Sequence, residues 1–231
     1  MKRTIYILAI FLFGCCLHAQ TAEEVLAKVN TKYSAAQCLS YNTTYNLYKK
    51  ADATKVYQTY KGSFTKNSNA DIYVKIGETE FYNTKFINVM VSHKEKIIIS
   101  SKPQPLSQQE YNIKSLLSMF TEGTIKDKQS HWEIELLPKP FSSLPYFKLV
   151  LHIGKDYYLK KQVFYYSEGT DFSTDYRKPD INYPRLEIVI GKPSLQPVPQ
   201  SKFSVSQYFT IVSKSIKPTA KYANYELIDQ R

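Results

Sequence analysis

The sequence predicts a mainly β protein with two helices, carried on a single strongly curved antiparallel sheet. Three observations lead there. Of 231 residues, 20 are Tyr and only 7 are Gly, and Tyr favours strands over helices. From Leu39 onward, apolar and polar residues alternate in short runs, with turn residues about every 8–12 positions. Only two segments carry the 3.6-residue apolar period of a helix.

Residues 1–19 read as an address rather than as structure. Met1-Lys2-Arg3 is a basic start, Thr4 to Leu17 is almost wholly apolar, and Leu17-His18-Ala19 has the small-residue pattern of a cleavage site. A secretory signal peptide is expected, with an exported, periplasmic-type product. A second reading stays open, because Leu12-Phe13-Gly14-Cys15 is similar to a lipobox that would anchor Cys15 to lipid. Loss of residues 1–19 takes the 231-residue chain to 212, and loss of Lys2 and Arg3 takes the net charge from +11 to +9. Cys38 is then the one remaining thiol, expected as a small buried residue at the start of a strand. Residues 20–231 are expected to form a single domain.

The first helix follows at once. Thr21 and Glu24 have the spacing of a capping box, and Val25, Leu26 and Val29 form one apolar stripe reaching about Tyr33. Leu39, Tyr41, Thr43, Tyr45 and Leu47 then share one strand face. Strands are predicted at 56–64, 71–76, 78–83, 86–92 and 96–101. Pro103 and Pro105 stop the series. Tyr111–Thr121 reads as the second helix, with Ile113, Leu116, Leu117 and Phe120 at i, i+3, i+4 and i+7, and Gly123 just past its end. Strands resume at 124–128, 131–137, 146–153, 158–167 and 186–190, and two more are predicted at 203–213 and 222–229.

The chemistry that the sequence lacks narrows the function. His93, His131 and His152 lie in separate segments, none paired at zinc-like spacing. There is no nucleophile elbow, phosphate loop or dinucleotide fingerprint. Glu133 and Glu135 read as a solvated strand face. No enzyme, cofactor or metal is therefore expected. Lys outnumbers Arg 27 to 4 and is dispersed along the strands, which points away from nucleic acid and towards protection of strand edges.

The aromatic residues are more telling. A curved sheet with two short helices has a face that it cannot fill completely, and such a face forms an apolar cavity. Tyr41, Tyr45, Tyr60, Phe64, Phe81, Phe147 and Phe164, with Ile113, Leu116, Leu117 and Phe120 from the second helix, are the candidate lining. Two functions remain open. One is a non-enzymatic carrier of acyl chains or another hydrophobic ligand. The other is an envelope module whose Lys and Tyr faces contact glycan, lipopolysaccharide or a partner protein. A monomer is expected.

Several segments resemble the periplasmic outer-membrane lipoprotein carriers of the LolA type and their outer-membrane-anchored receptor relatives. Ala22-Glu23-Glu24-Val25-Leu26-Ala27-Lys28-Val29 resembles the family's opening helix. Tyr60-Lys61-Gly62-Ser63-Phe64 with Asp71-Ile72-Tyr73-Val74-Lys75 resembles a pair of its strands. Trp132-Glu133-Ile134-Glu135-Leu136-Leu137-Pro138-Lys139 is similar to the strand after its lid, and Ser201-Lys202-Phe203-Ser204-Val205 to a late segment. The resemblance spans about residues 20–212. It implies a half-barrel closed by a helical lid, with lipoprotein acyl chains as cargo. Two departures stand against it. Lys75 is followed by Ile76-Gly77 where the carriers have the Arg-Pro whose Arg locks the lid, and residues 213–231 run past the usual end as a C-terminal extension.

Overall fold

A computed structural model describes residues 20–103, 117–121, 123–212 and 215–231. The expected signal peptide, Ile113 and Leu116 lie outside them, as does most of the predicted second helix.

The chain enters through α1 (Ala22–Ala35). Thr21 Oγ1 accepts from the Glu24 amide, and the Glu24 carboxylate accepts from the Thr21 amide, both at 3.1 Å. Two amides that the helix itself cannot satisfy are thereby paired. Val25, Leu26, Val29 and Tyr33 are the buried stripe.

Six strands follow: β1 (Leu39–Tyr48), β2 (Gln58–Lys66), β3 (Ile72–Ile76), β4 (Thr79–Asn83), β5 (Asn88–Ser92) and β6 (Ile97–Ser101). They pair antiparallel in sequence order. A second meander comprises β7 (Thr124–Lys128), β8 (His131–Leu136), β9 (Tyr146–Gly154) and β10 (Leu159–Tyr166). The polar stretch after β10 forms the small pair β11 (Thr170–Asp171) and β12 (Ile181–Asn182). The next strand, β13 (Arg185–Ile190), joins the two meanders by pairing with β1 on one side and β10 on the other. A hairpin of β14 (Phe209–Val212) and β15 (Ser215–Pro218) precedes β16 (Glu226–Gln230). The result is one open twelve-stranded sheet, antiparallel except at the edge where β16 lies parallel to β6.

Among the described residues one α-helix is complete, and of the predicted second helix they include Leu117 and Ser118, which are helical. Two sequence expectations change. Phe203 and Tyr222, expected within strands, instead sit in single-turn helices (Gln200–Phe203 and Ala220–Tyr222), with their rings buried. The turns at these positions let each ring leave the chain towards the sheet, and the strands begin later. Cys38 precedes β1 and is only half-buried.

Side chains alternate across the sheet, so it has a helix face and an opposite face. Each carries its own core at a different place. On the helix face, Val25, Leu26 and Val29 of α1 pack with Leu39, Phe64, Trp132, Ile134, Leu136, Leu149, Leu151 and Ile153. On the opposite face, the segment from Val198 to Leu227 covers β3–β6, with Phe203, Tyr208, Phe209 and Tyr222 against Tyr73, Tyr82, Val89, Val91 and Ile98.

Candidate functional site

The helix face extends well beyond α1. Strand register places Tyr41 opposite Phe64, Phe64 opposite Val74, Val74 opposite Phe81, Phe81 opposite Met90, Met90 opposite Ile99, and Ile99 opposite Ile228. Directly opposed residues share a face, so these seven side chains form one apolar row across seven strands. Its two ends differ in cover. Under α1, Phe64 is 7% exposed and stacks on Tyr41 with ring centroids 4.9 Å apart. Farther out, Phe81 is 38% exposed, while Met90, Ile99 and Ile228 are half-buried.

A second row runs beside the first. Tyr45 lies opposite Tyr60 and Ile188, with Tyr60 42% exposed. Between the rows, Gly62 pairs with Thr43 and Ile76. A Cβ on Gly62 would come 2.5 Å from the Lys75 carbonyl, 2.6 Å from Thr43 Oγ1 and 3.0 Å from the Tyr45 ring. Close approach of these groups requires glycine there.

Of the candidate lining residues, Tyr41, Tyr45, Tyr60, Phe64 and Phe81 therefore share the helix face. Phe164 joins them from β10, where its ring meets Tyr146 at 5.1 Å, and Tyr146 stacks on Phe120. Phe120 is buried and bridges to Pro138; Leu117 packs against the α1 core. Phe147 departs from the set. It is 50% exposed and packs on Tyr165, across the sheet from Tyr146. Tyr146 and Phe147 are consecutive in β9, so only one of them can face the helix. A groove of about 420 Å³ also runs beside α1, lined by residues including Lys28, Lys32, Tyr157, Tyr158 and Leu195.

The polar clusters lie on the opposite face. Glu80 accepts hydrogen bonds from Tyr82 and Tyr208, both at 2.7 Å, and its other oxygen is 3.0 Å from His93 Nε2. His93 Nδ1 in turn lies 3.0 Å from the Tyr225 hydroxyl. Burial alone would raise the Glu80 carboxyl, but the bonds from Tyr208, Tyr82 and His93 outweigh it and hold it below the usual carboxylate range. Burial, with Glu80 nearby, pushes Tyr73 up to about 12. A second cluster joins Asn67, Asp71 and Gln200 through bonds of 2.7–3.1 Å. Both tie the C-terminal segment down. The Glu80 cluster does not open onto the apolar rows, because Glu80 and Tyr82 have the other strand parity.

Sequence spacing separates His131 from His152, yet pairing of β8 with β9 brings His131 Nε2 to 3.1 Å from His152 Nδ1. The antiparallel meander predicted over 131–137 and 146–153 was the signal that could have placed them together. Glu133 lies directly opposite His152. Glu135, expected as solvated, is half-exposed and lies 3.8 Å from Lys148.

No protein-family model matches the chain, and no curated protein matches it. Solved structures do resemble it. An uncharacterised conserved protein from Thermus thermophilus matches at a TM-score of 0.49 and 9% identity, covering 91% of this chain and 100% of that one. A LolA superfamily protein from Nitrosomonas europaea matches at 0.37 and 13%, covering 81% and 99%. The lipoprotein LppX of Mycobacterium tuberculosis matches at 0.41 and 11%, covering 78% and 99%.

Proposed function

We propose that this protein is an exported, non-enzymatic carrier that holds acyl chains, of a lipoprotein or another lipid, on the helix face of its sheet. The observation behind this reading is the seven-strand apolar row from Tyr41 to Ile228, sealed under α1 at one end and half-covered at the other. An extended, continuous apolar strip suits a linear chain better than a compact ligand, and burial of each methylene contributes about 0.8 kcal/mol before ordering costs. An open sheet of this many strands curls, and in the proposed half-barrel the helix face is the concave one. Residues 20–231 form one domain. The sequence resemblance to the lipoprotein carriers supports the same reading.

Gentle purification of the mature chain, organic extraction and mass spectrometry should recover bound lipid. A fluorescent fatty acid should bind the delipidated protein. Phe81→Asp should weaken that binding at least tenfold, since a charge would enter the strip, while Phe147→Asp on the other face should leave it unchanged. Absence of both lipid and probe binding would sink the proposal. Binding of anionic glycan that vanishes at raised salt would favour the envelope module instead.

A further inference from the structure

We propose that His131, Glu133 and His152 form a three-ligand site for a zinc-class divalent ion on the opposite face of the β8–β9 hairpin. The three side chains each present a ligand atom, and these atoms lie within 4.8 Å of one another. The backbone places them without strain. His131 and Glu133 are two apart on β8 and so share a face, and His152 stands on β9 directly across from Glu133.

The spacing suits a small tetrahedral ion. Zinc–nitrogen bonds of about 2.0–2.1 Å at tetrahedral angles set two ligand nitrogens about 3.3 Å apart. His131 Nε2 and His152 Nδ1 already stand 3.1 Å apart, so an ion needs only a small movement of the rings. The remaining nitrogen of His131 is 3.0 Å from Ser130 Oγ. Such an outer contact orients a ligating imidazole and selects its tautomer.

The donor set also selects the ion. Two imidazoles and a single carboxylate favour zinc, copper or nickel over magnesium or calcium, which require more oxygen ligands. The neighbouring charges push the same way. Lys161 lies opposite His152, with its ammonium 3.6 Å from Glu187, and Lys126 lies opposite Glu133. Net local charge is therefore not what would hold an ion there; imidazole coordination is. All three ligands are half-exposed, so a fourth position opens to solvent and takes water or a small anion. This site lies across the sheet from the acyl strip and is independent of the carrier reading.

The mature chain, purified without a histidine tag and stripped with chelator, should bind one Zn²⁺ saturably in a calorimetric titration. Co²⁺ in its place should give the visible absorption of a tetrahedral site. His131→Ala and Glu133→Gln should each weaken Zn²⁺ binding at least tenfold, while Glu135→Gln, two residues along the same face, should not. Glu133→Gln preserves side-chain shape and decides the matter if His131→Ala does not fold. Failure to saturate, unchanged affinity in Glu133→Gln, or an equal loss in Glu135→Gln would each overturn the proposal.

Discussion

The two covers of this sheet are built from different chemistry. Over β1, β2, β8 and β9, α1 inserts Val25, Leu26 and Val29, side chains with no polar atom to satisfy. Over β3–β6, the C-terminal segment inserts Tyr208 and Tyr222 beside Tyr73 and Tyr82. Rings of this kind bury large apolar areas but carry hydroxyls into the core, where each needs a partner. Glu80 accepts from two of them, and Tyr82 and Tyr208 also contact each other at 3.1 Å. The first cover is held mainly by apolar contacts, with the Leu159 amide donating to the Tyr33 hydroxyl at 3.3 Å. The second is keyed, because its hydroxyls meet one carboxylate in one geometry.

The sharpest way to break this contrast is to remove the key. Glu80→Ala leaves the Tyr82 and Tyr208 hydroxyls and His93 without their shared partner, and should cost about 4 kcal/mol in chemical denaturation. Limited proteolysis should then cut first within residues 198–231. The matching deletion under the other cover, Leu26→Ala, should cost about 3 kcal/mol through a cavity while leaving that C-terminal segment protected. If both variants expose the same cleavage sites, the two covers unfold as one unit and the contrast is structural only.

A smaller effect belongs to the sheet between them. Gly62→Ala would drive its Cβ against the Lys75 carbonyl and Thr43 Oγ1. Part of the clash is with backbone, which cannot rotate away, so a loss of about 2 kcal/mol is expected. Tyr45 would be displaced as well, and acyl-probe binding should fall along with the melting temperature. Normal stability and normal binding in this variant would show that the two rows have more room than the geometry implies.

How far the sequence revealed this arrangement follows from the same contrast. The α1 cover was legible because its capping box and apolar stripe are local signals, and β7 was read to the residue because its alternation ends in turns. The C-terminal cover was not legible. Phe203 and Tyr222 read as strand residues by their neighbours, but their burial is set by β3–β6, far away in the chain. The Glu80 cluster had no local signature either, since a lone Glu in a strand reads as a solvated charge until Tyr208 is folded over it. The apolar face was recognised in part. Phe64 and Phe81 fall on one face through strand register, whereas Phe147 was placed with them because one shift in the pairing of β9 with β10, between Tyr165 and Tyr166, is invisible in the pattern.

The last expected effect is the smallest, and it separates the covers by pH. The folded value of Glu80 lies below its unfolded value. Its contribution is therefore fully present above the unfolded carboxylate range and is lost as pH falls towards the depressed folded value. The loss should be smaller than in Glu80→Ala, because a protonated carboxyl still makes hydrogen bonds. At high pH the sign reverses. Burial pushes Tyr33, on the inner face of α1, and Tyr73, under the C-terminal segment, up to about 12. Their contributions hold below the ordinary tyrosine value and fade as pH rises through about 12, so alkali should loosen both covers together. Acid should loosen only one. Trp132 is the chain's one tryptophan and lies buried in the α1 core, stacked on Tyr157, so its fluorescence reports that cover alone. Acid titration should change the near-ultraviolet tyrosine signal before Trp132 responds, and Glu80→Gln should remove that first step. Coincident tyrosine and tryptophan transitions in acid would mean that Glu80 secures the whole sheet rather than the segment folded over it.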